Sequence, residues 1–150
     1  KSTKSQEGEE LRERQINLLL KELVKNKTNL PVIVCCDLNA TPVLNQNGYE
    51  PLCYNDVVNK ENGIGYMSVY RMASADDKEP AYTTWKCRRS GVDKHTIDYI
   101  FVSDESVWNV LSVLSIPDVD HEGNEEIKAL IPSWSYPSDH FSIMAQLSWR

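Results

Sequence analysis

The sequence has no apolar run longer than the five residues Val32–Cys36, far short of the roughly 20 that a bilayer-spanning helix needs. Its first residues, Lys1-Ser2-Thr3-Lys4-Ser5-Gln6-Glu7, lack the hydrophobic stretch of a secretory signal. With no initiator Met they read as the interior of a longer chain. Cysteine is scarce and awkwardly placed for bridging. Of Cys35, Cys36, Cys53 and Cys87, the first two are adjacent and point to opposite faces of a strand, and no CxxC pair offers a zinc site. The expectation is four reduced thiols in an intracellular setting, the cytoplasm first, with mitochondrion or nucleus as alternatives. Positive charge is also in deficit. Sixteen Lys and Arg face 22 Asp and Glu, for a net charge of −6 and a pI near 5.1. That balance weakens the reading of a protein that simply coats nucleic acid, while leaving room for a local basic patch. No internal repeat and no low-complexity segment interrupts the chain.

Composition is that of a folded protein, with 41% hydrophobic and 25% charged residues, which excludes wholesale disorder, collagen and coiled coil. At 150 residues one domain is expected. Glu9 to Lys25 predicts a helix, with Ile16, Leu19, Leu20 and Leu23 on one face and Leu11 extending it. Val32–Cys36 predicts a strand covered on both faces, stopped by the polar Asp37-Leu38-Asn39-Ala40-Thr41-Pro42. Leu52 to Val58 suits a short helix or strand, Asn62–Gly65 a turn, and Ser74 to Pro80 a charged loop. Tyr82–Arg88 and Thr96–Val102 predict two strands paired as a hairpin around Ser90-Gly91. Trp108 to Leu114 predicts a further strand and Pro117 to Ser133 an acidic loop. Phe141, Ile143, Ala145, Leu147 and Trp149 alternate with polar residues, which predicts a half-buried final strand.

Three places bring oxygen-bearing or ionisable groups to a strand end: Asp37 with Asn39, Asp98, and Asp139 with His140. Strand-end loops converge on a crevice in an α/β sheet. Three carboxylates, an amide and an imidazole gathered there suit Mg²⁺-assisted attack of water on a phosphoester. An Asp-x-Asn after a strand is equally the pattern of a turn bonded to its own backbone, and Ser138-Asp139-His140 suits the lead into a strand. Asp98, flanked by Ile97, Tyr99 and Ile100, demands a partner or a polar crevice. Lys86 and Arg88 project to one side of a regular strand and can grip a phosphate, with Arg89, Lys94 and His95 near in sequence. A charged hairpin edge is the competing explanation. Tyr82, Trp85, Trp134 and Tyr136 suit either a stacked base or a core.

The order of four blocks narrows the choice. Cys36-Asp37-Leu38-Asn39-Ala40-Thr41-Pro42, then Tyr82-Thr83-Thr84-Trp85-Lys86, then His95-Thr96-Ile97-Asp98-Tyr99-Ile100, then Tyr136-Pro137-Ser138-Asp139-His140 resembles the endonuclease/exonuclease/phosphatase family. The resemblance implies a DNase I-like, two-sheet α/β sandwich with a catalytic centre at one end of the sheets, of which this chain is the C-terminal half. It implies that Asp37 orients or deprotonates the attacking water, that Asn39 helps place it and the phosphate, that Asp98 holds His140 on the scissile phosphate, and that Asp139 lies beside Mg²⁺. Lys86 and Arg88 match substrate-facing basic positions. The implied substrates are the 2′-phosphate of NADP(H) or poly(A) RNA trimmed from its 3′ end, with no membrane partner. The family's principal metal-binding Glu lies in an N-terminal half with no match here, so the missing half or a dimer partner is expected to be needed. Cys36 stands where the family has Gly, and Leu38 where it has Phe. A non-catalytic remnant that binds a nucleotide or a protein is the alternative.

Overall fold

The computed structural model describes residues 5–26, 30–44, 48–60, 65–88, 91–103, 105–117, 132, 134 and 136–150, without the side chains of 87, 88 and 105. The expected turn at 62–65 and the acidic loop at 117–133 lie mostly outside these residues. The first helix, α1 (Gln6–Lys25), begins where Ser5 accepts the Gly8 N–H at 3.2 Å and ends at Asn26, whose N–H donates to the Glu22 carbonyl. Both are ordinary helix-end devices. Its partner is short: α2 (Leu52–Val58) covers only a narrow stripe. Ile16, Leu20 and Leu23 pack there, whereas Leu11 (52% exposed) and Leu19 (42%) do not. Glu9, buried within α1, accepts the Cys53 N–H at 3.0 Å and the Arg12 guanidinium at 2.6 Å. It thereby caps α2, whose own N-cap residue, Pro51, makes no side-chain cap bond.

The rest is a mixed α/β arrangement in which every strand pairing is antiparallel among the described residues. Strand β1 (Ile33–Asp37) and β2 (Met67–Ser68) flank β5 (Asp98–Val102), with α3 (Val69–Ala73) following β2; β3 (Thr84–Arg88) pairs β4 (Gly91–His95); β6 (Trp108–Val113) pairs β7 (Ala145–Trp149). Several expectations need correction. The hairpin partner of β3 is β4 rather than β5, because β4 supplies the return strand before β5 crosses to β1. The final strand holds only residues 145–149, since Phe141 leaves the alternation to pack on Trp85 in a separate aromatic cluster. Strand β1 is covered on one face only: Ile33 and Cys35 are exposed while Val34 and Cys36 turn inward. Leu52–Val58 resolves as helix.

Register explains both faces of the central sheet. Val34 pairs Phe101 and Cys36 pairs Tyr99, and these side chains meet α1 and α2. On the opposite face Ile33 pairs Val102, Cys35 pairs Ile100 and Asp37 pairs Asp98; Ile100 and Val102 join Val69, Tyr70 and Trp108 in a second core. Asp37 and Asp98 therefore share one face at one end of the β1–β5 pair.

Between the loop that leads to β3 and the helical layer sits Glu79. Its carboxylate accepts from the Tyr54 hydroxyl at 2.8 Å and the Ser68 hydroxyl at 2.9 Å. Burial raises its pKa above the ordinary carboxylate range, against the pull of those two hydroxyls. A raised folded-state pKa means the folded protein holds the proton longer than the unfolded chain does. The associated stability is present below the ordinary Glu pKa and is lost as pH rises through the folded value. Glu79→Gln, which keeps both hydroxyl contacts, is expected to flatten this loss when urea midpoints are followed from mildly acidic to neutral pH. An unchanged profile would place the effect elsewhere.

Candidate active site

Strand β1 delivers Asp37, and the ladder runs one bond further through Leu38 N–H to the Ile97 carbonyl at 2.8 Å. The chain then turns at Asn39, whose φ of 49° is left-handed, a conformation Asn tolerates better than most residues. The Asn39 N–H donates to Asp37 Oδ1 at 2.8 Å, so the local turn read from the sequence is present as well. Leu38 and Ala40 are buried against the helical core, and the Tyr99 hydroxyl donates to the Ala40 carbonyl at 2.8 Å. The loop is thus anchored on both sides of Asn39. Asn39→Gly is expected to hold stability near wild type while removing the side-chain amide, whereas Asn39→Ala costs about 1–2 kcal/mol of backbone strain. Thermal unfolding of the two variants checks this.

Across the sheet, Asp98 opens β5. Its two carboxylate oxygens each lie 3.1 Å from Nδ1 of His140. Asp37, Asp98 and His140 each bring a ligand-capable atom to within 4.8 Å of the others. His140 is carried by the segment before β7, which bridges to Thr84 in β3. Its N–H donates to the Ser138 hydroxyl at 3.0 Å. Asp139 stands next to this trio: one carboxylate oxygen is 3.9 Å from His140 Nε2 and the other 3.5 Å from Lys86 Nζ. Lys86 and Asp139 are both partly shielded from solvent.

The structure thus brings Asp37, Asn39, Asp98, Asp139, His140 and Lys86 to one end of the sheets. Arg88 ends β3 two residues beyond Lys86, and its side chain lies outside the described residues, as does all of Arg89. The remaining basic positions are drawn elsewhere. Lys94 lies 4.2 Å over the Trp85 ring, and His95 lies 3.3 Å from Asp93. Trp85 is buried with Phe141, and Tyr82 and Tyr136 pack on them; Trp134 is fully exposed. The rings at 82, 85 and 136 serve a core.

Cys36 turns away from the cleft, toward Tyr99 and the helical core. Burial, reinforced by Cys35, Asp37 and Asp98, pushes its thiol pKa up to about 12, which keeps it protonated and a poor nucleophile at neutral pH. One residue that motif reading left without a role stands out: Thr83 is completely buried, and its hydroxyl donates to Asp98 Oδ2 at 2.7 Å. Its signal in the sequence was only position, inside the Tyr-Thr-Thr-Trp-Lys block.

As for a metal, three carboxylates face a single lysine in this cleft among the described side chains. Asp98 is already committed to His140 and Thr83, which leaves Asp37 and Asp139 as the oxygen donors. One or two carboxylates with water completing the shell is how Mg²⁺ is ordinarily held, so the residues present fit a hard divalent cation.

No protein-family model matches the chain. Human nocturnin is 35% identical over 135 residues, 85% of this chain and 28% of that protein. Rat 2′,5′-phosphodiesterase 12 is 34% identical over 130 residues, 81% of this chain and 20% of that protein. The solved human nocturnin catalytic domain with a bound sulfate anion superposes with a TM-score of 0.62 at 32% identity, covering 95% of this chain and 42% of that one. The chain therefore spans less than a third of the curated relatives it matches.

Proposed function

We propose that this chain, which is nocturnin-like in sequence and fold and so of the endonuclease/exonuclease/phosphatase family, is the C-terminal part of a Mg²⁺-dependent phosphoester hydrolase. The observation that carries the reading is the convergence of Asp37, Asp98 and His140 within 4.8 Å. An imidazole whose Nδ1 faces a carboxylate is held in the tautomer that leaves Nε2 facing outward. At a phosphoester that nitrogen, once it takes up a proton, donates it to a phosphoryl oxygen. Asp37 and Asn39, on the loop opposite, orient the attacking water, and Asp37 accepts its proton. The P–O bond to the leaving group breaks as the bond to water forms, the leaving oxygen takes a proton from solvent water, and Asp37 returns its proton to solvent. Lys86, now beside Asp139, offsets charge on the phosphate. A divalent cation held by Asp37 and Asp139 would polarise the phosphoryl oxygen as a Lewis acid.

On this reading the substrate is either NADP(H), losing its 2′-phosphate, or the 3′ end of poly(A) RNA. The sulfate held by the solved relative, a tetrahedral dianion like phosphate, supports a phosphate-binding cleft. So does the name of the phosphodiesterase relative. The setting proposed is intracellular.

The test uses the full-length protein with Mg²⁺, reading inorganic phosphate from NADP and shortening of an oligo(A) substrate. Hydrolysis of one or both, lost on chelation with EDTA, is expected. Combined Lys86→Ala and Arg88→Ala is expected to lower NADP turnover by about 10–100-fold, the loss of one or two charge-assisted phosphate contacts. Unchanged rates on both substrates would remove these cations from the site, and no hydrolysis of either would overturn the proposed activity.

A further inference from the structure

The Asp98–His140 pair spans two segments distant in sequence, so something must hold both at once. The short run Thr83-Thr84-Trp85 lies between them and bonds to each. On one side, the Thr83 hydroxyl donates to Asp98 Oδ2 at 2.7 Å and accepts the Ile97 and Asp98 N–H groups at 3.1 and 3.0 Å. A hydroxyl has one proton to give and two lone pairs to offer, and all three are used. Its proton therefore has a single direction, onto the carboxylate. On the other side, the Thr83 carbonyl accepts the Phe141 N–H at 2.7 Å, and the Asp139 carbonyl takes the Trp85 N–H at 2.9 Å and the Thr84 hydroxyl at 2.8 Å. Both threonines are completely buried, so water does not compete for these bonds.

From this geometry we infer that Thr83 is the positioning residue of the site, fixing the Asp98 carboxylate so that it presents both oxygens to His140 Nδ1. Without the hydroxyl, two backbone N–H groups, that of Ile97 buried and that of Asp98 partly so, lose their acceptor and the carboxylate is free to rotate about its last torsion. The His140 ring then loses the partner that selects its tautomer. Thr83→Ser keeps all three bonds. Thr83→Val keeps the shape and removes all three.

The inference rests on the hydrolase reading for its catalytic meaning, and the experiment separates the two. In the full-length protein, the imidazole nitrogens of His140 are observed by long-range ¹H–¹⁵N correlation, assigned by their loss in His140→Gln. Wild type and Thr83→Ser are expected to show one tautomer with the proton on Nδ1, and Thr83→Val a mixture of both. With bis(p-nitrophenyl) phosphate and Mg²⁺ as the probe, Thr83→Val is expected to lose about 10–100-fold in kcat, the range for losing an orienting partner, with KM within twofold and recovery in Thr83→Ser. Should the valine variant not fold, Thr83→Cys, of similar size and with a weaker donor, is expected to show the same mixing to a smaller degree. A single Nδ1–H tautomer in the Val or Cys protein would overturn the positioning role, whatever the activity. A tautomer mixture in a protein whose wild type hydrolyses nothing would leave the positioning role standing and overturn the hydrolase reading instead.

Discussion

His140→Ala is expected to lower kcat/KM for phosphoester hydrolysis by about 10²–10⁴-fold, the usual worth of a positioned acid–base group. The stability of the fold should change little, because the ring is nearly a third exposed and its only side-chain hydrogen-bond partner among the described residues is Asp98. Asp98→Asn acts through that same ring. The amide turns a donor or a single acceptor toward Nδ1, so the tautomer is no longer selected, and a loss of comparable order is expected. The pair works as one unit, so the double variant should be little worse than the single variants. The measurement is steady-state hydrolysis by the four proteins, beside their thermal midpoints. Loss of melting temperature in parallel with activity would mark the pair as structural instead.

The second large effect concerns completeness. Inner-face residues that a sandwich would cover stand open. Ile33 is 45% exposed although it shares a face with buried Val102, and Trp149 is 63% exposed although it pairs with buried Trp108. Strand β1 is also an edge with no second partner among the described residues. Solvated apolar side chains beside an unpaired strand edge are what a further part of the same domain would cover. The solved relative extends well beyond this chain, which covers 42% of it. We therefore expect the 150-residue chain by itself to self-associate and to hydrolyse NADP at least about 100-fold more slowly than the same chain joined to the upstream half of a nocturnin-like domain. Sedimentation velocity and phosphate release on the two proteins check both parts. A monodisperse, fully active short chain would contradict the dependence on that half.

Much of this was legible in the residues, and the exceptions share a cause. The first helix announced itself over Glu9–Lys25 through its three- and four-residue spacing, and β5 lies within the strand expected at Thr96–Val102. The convergence of Asp37, Asp98 and His140 followed from four short blocks in a fixed order, a stronger constraint than any block by itself. What the sequence hid was pairing. Thr84–Arg88 and Asp98–Val102 are both good strands, and local pattern cannot tell that Gly91–His95, a polar run with little β signature, intervenes as the partner. Coverage was hidden for the same reason: Ile33 and Cys35 read as core because they are apolar, and their exposure depends on what lies beyond β1. Thr83 was invisible because a buried hydroxyl has no periodicity; only coordinates reveal the carboxylate it meets.

The most direct test is a double-mutant cycle in kcat/KM between Asp37 and His140, using Asp37→Ala, His140→Ala and both in the full-length protein with Mg²⁺ and NADP. If the two side chains serve one cleft, each single variant loses most of the activity, and the double variant falls far short of the product of the two losses. Losses that multiply, or an Asp37→Ala protein as active as wild type, would mean that the residues do not act on the same phosphate.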